Sequence, residues 1–411
     1  MSASTLTESA PLRSDARVIS LVGLVHASSH FSQLVLPPLL PWLHGEFGIG
    51  YAALGSVLTV FFVVSCVVQA LSGFVVDRHG ARPVLYGGMA LMALGIVGFA
   101  LAQSFWMLVA AAIVTGMGNG VFHPADFTLL NRKVSPARLG HAYSVHGITG
   151  SLGWAAAPAL VVPLAQLWGW RLALLAAAGV VVAILLVACR GRGVLADELA
   201  EAPARAPAAS ALAAAEAPLA FLRLPAVWVC MGFFFLYAVV LSVVQTFAAP
   251  AAERLHAMPQ TWLGLCVTLY MVALAVGMVA GGFLVQRDWP AERIVGTGFG
   301  VAAMFAVAMA LAPLPAASVP LVFVLMGLVS GLAGPSRDML VKQSTPLHAS
   351  GRVYGVVYAG LDIGQALAPL VFGWVMDHGH HQVIWLGLAA VQLSLIGSAA
   401  AVAGLRRVPQ A

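Results

Sequence analysis

Charge is what this sequence has least of. Asp, Glu, Lys and Arg make up 9% of 411 residues, while 61% are hydrophobic. A soluble globular domain carries about 25% charged residues. So little polar surface cannot cover a water-soluble globule, which leaves a polytopic membrane protein. Cysteine is also scarce. Cys66, Cys189, Cys230 and Cys266 are scattered without CxxC spacing, each in or at the edge of an apolar run. That excludes a disulfide framework and a thiolate metal site, and leaves packing roles. No Gly-x-x-x-x-Gly-Lys loop occurs and there is no room for a nucleotide-binding domain, so an ATP-driven pump is excluded. The histidines fall on different apolar runs without HExxH spacing, so no metal, cofactor or enzymatic centre is expected. A membrane enzyme would want a compact nucleophile and base, and a receptor would want a sizeable signalling domain. Neither is visible, and both remain remote alternatives.

What is present is a succession of apolar runs, each about 20 residues long, the length that crosses a bilayer core as a helix. Twelve are expected, at 18–42, 52–76, 83–103, 105–130, 140–163, 170–189, 225–249, 261–285, 294–313, 319–342, 353–376 and 383–405. The polar stretch 1–16 has no signal-peptide layout, and the first run is long enough to span. With both termini in the cytoplasm, every Lys and Arg except Arg171 and Arg254 falls on the cytoplasmic side. The net charge of +5 is therefore topological, and no nucleic-acid partner is expected.

The only long internal polar stretch, rich in Ala, Pro and charges, divides the runs six and six. The expected organisation is a cytoplasmic tail (1–17), a six-helix bundle (18–189), a cytoplasmic linker (190–224), a second six-helix bundle (225–405) and a cytoplasmic tail (406–411). The halves repeat. Laying the stretch from Gly120 over that from Gly331 without a gap brings Gly120/Gly331, Pro124/Pro335, Gly140/Gly351, Tyr143/Tyr354, Gly153/Gly364 and Pro158/Pro369 together. A near-identical offset matches GFVVDR (73–78) to GFLVQR (282–287). Six spans repeated in one orientation imply two bundles related by a pseudo-two-fold axis along the membrane normal, with a substrate site between them near the midplane.

GFVVDRHGARP (73–83), after the second span, closely resembles the signature loop of the major facilitator superfamily. Here it is supplied by Gly73, Asp77, Arg78, Gly80 and Arg82. Gly73 would let helices approach, Gly80 would permit a tight turn, and Asp77 would sit where a helix N-terminus and basic residues could hold it. The resemblance implies the major facilitator fold, an all-α protein of twelve transmembrane helices. It also implies that Asp77 latches onto the start of the eleventh span, near Gly351 and Arg352, in the outward-open state. Ala81 stands where a basic residue is common, and Gln286 replaces the Asp in the second-half copy, which argues against a symmetric latch. Residues 28–55 and GNGVFHPAD (118–126) look similar to the fosmidomycin-resistance group of bacterial exporters. The fifth span carries Gly147, Gly150 and Gly153 but lacks the Gly-Pro core of the antiporter motif.

Four spans carry polar residues in one stripe at helical spacing, which must face protein or water rather than lipid. The first has His26, His30 and Gln33; the fourth has Asn119, His123 and Asp126; the fifth has Tyr143 and His146; the eleventh has Tyr358, Asp362 and Gln365. His26, His30, Gln33, Asn119, His146, Tyr358, Asp362 and Gln365 are the candidate substrate or proton pathway. The histidines could equally bond helix partners. His123 and Asp126, near the cytoplasmic end, suit a structural pair or an inner gate. Arg337 and Asp338, near that end of the tenth span, suit either a gate or interface anchoring.

Asp362 stands apart. Ten residues of helix from Arg352 is roughly 15 Å, half the thickness of a bilayer core of about 30 Å. A bare carboxylate there costs at least about 2.5–3.5 kcal/mol. Taking up a proton would lower the energy of carrying it through an occluded state, and Ser151 holds its place in the first half. The expectation is a secondary transporter of the bacterial inner membrane, working by alternating access as a monomer. Proton-coupled export of a drug-like molecule or metabolite leads. The rival is proton-coupled uptake of a small organic anion, with His30, His146 or Arg337 as positive partners.

Overall fold

The computed structural model describes residues 12–196, 225–285, 289–334, 336 and 350–406, and the side chains of most of them. Every regular element among these residues is helical. Eleven helical segments are long and apolar enough to cross a membrane, and a shorter apolar segment, Ala316–Leu332, stands in the place expected for the tenth span. Numbered in chain order, the second span is the helix Tyr51–His79, the fifth Leu139–Trp168, the eighth Leu263–Val285 and the eleventh Ser350–Asp377.

Proline decides where the spans break. The first ends as a helix at Gln33, because Pro37 and Pro38 carry no N–H, and resumes at Leu40–Phe47 after a tight 3₁₀ turn. The fourth is split into Phe105–Asn119 and Phe122–Lys133. Pro124 cannot donate to the carbonyl four residues back, that of Gly120, and the Ser72 hydroxyl donates to it instead at 3.2 Å. The break places His123 and Asp126 on a separate short helix. Between the second and third spans, Gly80 turns the chain at φ 87°, as its place in the signature loop requires.

Helices pack mainly within their own half, and two pairs carry most of the contact between the halves: the second span against the eleventh, and the fifth against the eighth. These two seams are copies of each other. A Cβ on Gly55 would lie 2.5 Å from the Pro369 carbonyl oxygen, and one on Gly264 would lie 3.0 Å from that of Pro158. One turn deeper, the Thr59 hydroxyl donates to the Ala366 carbonyl at 2.5 Å, and the Thr268 hydroxyl to the Ala155 carbonyl at 3.2 Å. Each pair maps onto the other through the internal repeat.

At the face away from the chain termini the seam is shut. The Asp377 carboxylate, from the end of the eleventh span, accepts from the Tyr51 and Ala52 backbone N–H groups at 2.6 and 2.9 Å, capping the second span across the two halves. At the terminal face the described residues make no matching contact: a Cβ on either Gly73 or its repeat mate Gly282 would meet none of them within 4 Å. Beside them Phe74 is 76% exposed and Phe283 64% exposed. Among the described residues Gly73 therefore makes no close helix approach.

Candidate functional site

Beneath the seam, the first, fourth and fifth spans bring a cluster of imidazoles together inside the first half. His26 and His146 stack with ring centroids 3.4 Å apart, His30 lies 4.5 Å from His26, and His123 lies 5.4 Å from His26. Asp126, fully buried at 0% exposure, holds two of them: Oδ2 is 2.9 Å from His26 Nδ1 and 3.2 Å from His146 Nε2. A carboxylate only accepts, so both nitrogens present their hydrogens to it. Among the described residues, His123 and Asp126 thus have their side-chain partners within the first half.

One helical turn away, Asn119 is the hub of a second network. Its Oδ1 accepts from the Ser29 hydroxyl at 2.8 Å and from the Gln33 amide at 3.0 Å, while its Nδ2 donates to Ser65 at 2.8 Å. Trp154 Nε1 donates to Gln33 Oε1 at 3.0 Å, and the Trp154 ring lies 4.2 Å from that of His30. Buried polar groups in apolar surroundings are costly unless paired, and here most are.

The cluster is linked to the other half through Gln69 of the second span. Its Oε1 accepts from His123 Nδ1 at 2.9 Å, and its Nε2 donates to Asp362 Oδ2 at 3.3 Å. Cys66, about one turn before Gln69 on the second span, also faces Asp362. Asp362 is partly buried on the seam between the two halves. The repeat supplies the comparison: the mates of Asp362 and Gln69 are Ser151 and Met278, which meet through a weak 3.7 Å O–H···S contact. The seam carries the same contact twice, and only one copy holds a titratable group.

The remaining expected residues are less connected. Gln365 is buried and Arg78 is exposed. Arg82 donates to the Arg192 carbonyl at 3.3 Å, tying the signature loop to the end of the sixth span. Arg337 and Asp338, and the side chains of Asp77 and Tyr358, lie outside the described residues, and with them the Asp77 latch. Three of the participants missed from the sequence, Ser65, Gln69 and Ser72, are spaced i, i+4 and i+7 on the second span, the same stripe signature that singled out the other four spans. Ser29 and Trp154 were not singled out either, and no local pattern tells Trp154 from the other tryptophans.

Asp126 also carries a stability prediction. Asp126→Ala leaves two buried imidazoles unpartnered, at about 1–3 kcal/mol each. The expected result is a clearly lowered thermal unfolding temperature in detergent, with Asp126→Asn, which keeps an acceptor oxygen, falling between. An unchanged unfolding temperature for the alanine variant would show that the carboxylate does not organise the cluster.

Comparison with known proteins agrees with this architecture. The family model described as Major Facilitator Superfamily matches residues 22–369 and 245–411. The chain is 27% identical over 339 residues to the multidrug resistance protein MdtH of Aeromonas salmonicida, covering 79% of this chain and 80% of that protein. It is 28% identical over 153 residues to the uncharacterized MFS-type transporter YfnC of Bacillus subtilis, and 27% identical over 157 residues to the fosmidomycin resistance protein of Escherichia coli. These two alignments span 37% and 38% of the respective relatives. Among solved structures, a bacterial homolog of the human lysosomal transporter Spinster superposes with a TM-score of 0.73 at 15% identity, over 96% of both chains. The nucleoside transporter NupG gives 0.73 at 14% identity, over 95% of this chain and 99% of that one. With the signature loop, the doubled seam and this family-wide match, the chain belongs to the Major Facilitator Superfamily of membrane transporters.

Proposed function

We propose that this transporter exports a small drug-like solute or metabolite across the bacterial cytoplasmic membrane, driven by inward proton movement through Asp362, with both chain termini in the cytoplasm. The observation that carries this reading is the Asp362–Gln69 bond where the repeat has Ser151–Met278. A carboxylate within a membrane span is costly, and here it lies on the seam between the two halves, where Gln69 bonds it. On this orientation the seam is closed on the outer side. The groups facing Asp362 from the second span are Cys66 and Gln69, and the seventh span presents Met231, Phe235 and Ala238 to the nearby Gly360 and Gly364, so no cation among the described residues holds the carboxylate charged. Protonation removes the charge and weakens the pull on Gln69, allowing the seam to part on the outer side. The names borne by the Aeromonas and Escherichia relatives support a drug-like cargo.

The test is reconstitution into liposomes of defined orientation with an internal pH indicator. Solute added on the terminal face is expected to move only with counter-movement of protons, and an imposed proton gradient to concentrate it on the opposite side. Proton and solute moving in the same direction would favour uptake of an organic anion instead. Solute flux indifferent to any imposed proton gradient would remove proton coupling altogether.

A further inference from the structure

The imidazole cluster contains more lone pairs than the protein satisfies. Both ring nitrogens of His30 are buried without a hydrogen-bond partner, and so is Asp126 Oδ1. Buried polar atoms are almost always paired, so orphans that converge mark a missing occupant. One nitrogen from each of His26, His30 and His123 lies within 4.8 Å of the others.

We propose that His26, His30 and His123 form a binding site for a divalent late first-row transition metal ion such as Zn²⁺. The hydrogen bonds already present decide which nitrogens are free. Asp126 engages His26 Nδ1 and Gln69 engages His123 Nδ1, so each ring keeps Nε2 as an acceptor, and His30 adds a third. His30 is bonded at neither nitrogen, so its tautomer is free to present a lone pair toward the other two rings. A water molecule would satisfy the group only by taking a hydrogen from His30, whereas a cation takes a lone pair from all three. Tetrahedral zinc with Zn–N of about 2.0–2.1 Å sets its nitrogens roughly 3.3 Å apart, so small ring rotations bring these three into place. Imidazole donors suit zinc, nickel, copper and cobalt better than magnesium or calcium.

The surroundings are those of a ligated site. Asp126 behind His26, and Gln69 behind His123, stand where outer partners fix the tautomer and aim of a metal-bound imidazole. Space is reserved too: a Cβ on Gly150 would lie 3.2 Å from both His26 Nε2 and His30 Nδ1. Phe127 packs 5.0 Å from His146 and 5.4 Å from Tyr143, and both Phe127 and Tyr143 are exposed, so a single aromatic layer covers this side of the cluster. The second half has no equivalent. The Gly153–Ala27 and Gly364–Phe235 contacts align the first span with the seventh, so Phe234 and Ala238 replace His26 and His30, and Gly334 replaces His123. The inference does not depend on which solute is carried.

Untagged protein in detergent is titrated with Co²⁺ and read by visible ligand-field absorption, followed by displacement with Zn²⁺. The expected result is one tightly bound ion per chain with a four-coordinate spectrum. His30→Ala, which removes a residue without hydrogen-bond partners, should abolish the signal, and Asp126→Asn should weaken binding roughly 10–100-fold. The double variant His378→Ala/His380→Ala, at the exposed turn beside Asp377, should bind as the parent does. X-ray absorption of the zinc-loaded parent should count three imidazole nitrogens and needs no variant to fold. No stoichiometric spectrum in the parent, equal binding by His30→Ala, loss of binding in the His378/His380 double variant, or an imidazole count below three each overturns the proposal.

Discussion

Asp362→Asn is expected to lose proton-driven accumulation of solute by roughly tenfold to a hundredfold, the usual span of a coupling free energy between two ligands. Exchange of labelled for unlabelled solute at equal pH should survive. Asparagine keeps the size of the side chain and an acceptor oxygen for the Gln69 amide, which donates to Asp362 at 3.3 Å. What it removes is titration. Gln69→Ala is the complementary change: the carboxylate remains but its link to His123 is cut, so coupling should weaken without vanishing. Counterflow and gradient-driven uptake in the same liposomes separate the two effects. If Asp362→Asn accumulates solute as the parent does across all imposed gradients, the coupling role of Asp362 is gone, and its cost to the membrane protein is structural.

Gly55→Leu is expected to stop transport and hold the protein in the conformation opposite to the one seen here. The Cβ would lie 2.5 Å from the Pro369 carbonyl oxygen and 2.9 Å from its carbon, both backbone atoms that cannot rotate aside. The seam at the face away from the termini then cannot close. The mirror change Gly264→Leu should act in the same way on the other seam, because it meets Val162 Cβ, which the backbone fixes, at 2.7 Å and the Pro158 carbonyl oxygen at 3.0 Å. Maleimide labelling of Thr59→Cys, in a background without the native cysteines, reports the seam directly. Added from the face away from the termini, the reagent should react about tenfold faster when Gly55→Leu is also present, a population shift of about 1.4 kcal/mol. Equal labelling with full transport would mean that the close contact at Gly55 is not needed for closure.

The two predictions lie at different depths of legibility. Asp362 stands out in the sequence because a charge in the middle of an apolar helix is anomalous on its own. Gly55 does not: it is one of 42 glycines, and only the carbonyl of Pro369, more than 300 residues away in sequence, makes its hydrogen side chain necessary. Gln69 lies between these cases. Its stripe with Ser65 and Ser72 is readable, but its value comes from bridging His123 and Asp362, two residues on different halves. The same holds for the imidazoles. Sequence spacing along single helices showed no metal pattern, and the pattern forms only where His123 of the fourth span meets His26 and His30 of the first.

The sequence by itself determined the membrane setting, the number of spans, the division into two repeated halves and the family signature. Each follows from local composition or period: a bilayer core demands about 20 apolar residues per crossing, and duplication leaves its register in Gly and Pro positions. Tertiary structure alone decided which face is shut, which copy of the doubled seam is polar, and that Asp126 serves the imidazole cluster. Those are facts about pairs of atoms on separate helices. Helix packing sets them through close backbone approach and through the pairing of polar groups that lipid cannot solvate, and no single helix carries that information in its own spacing.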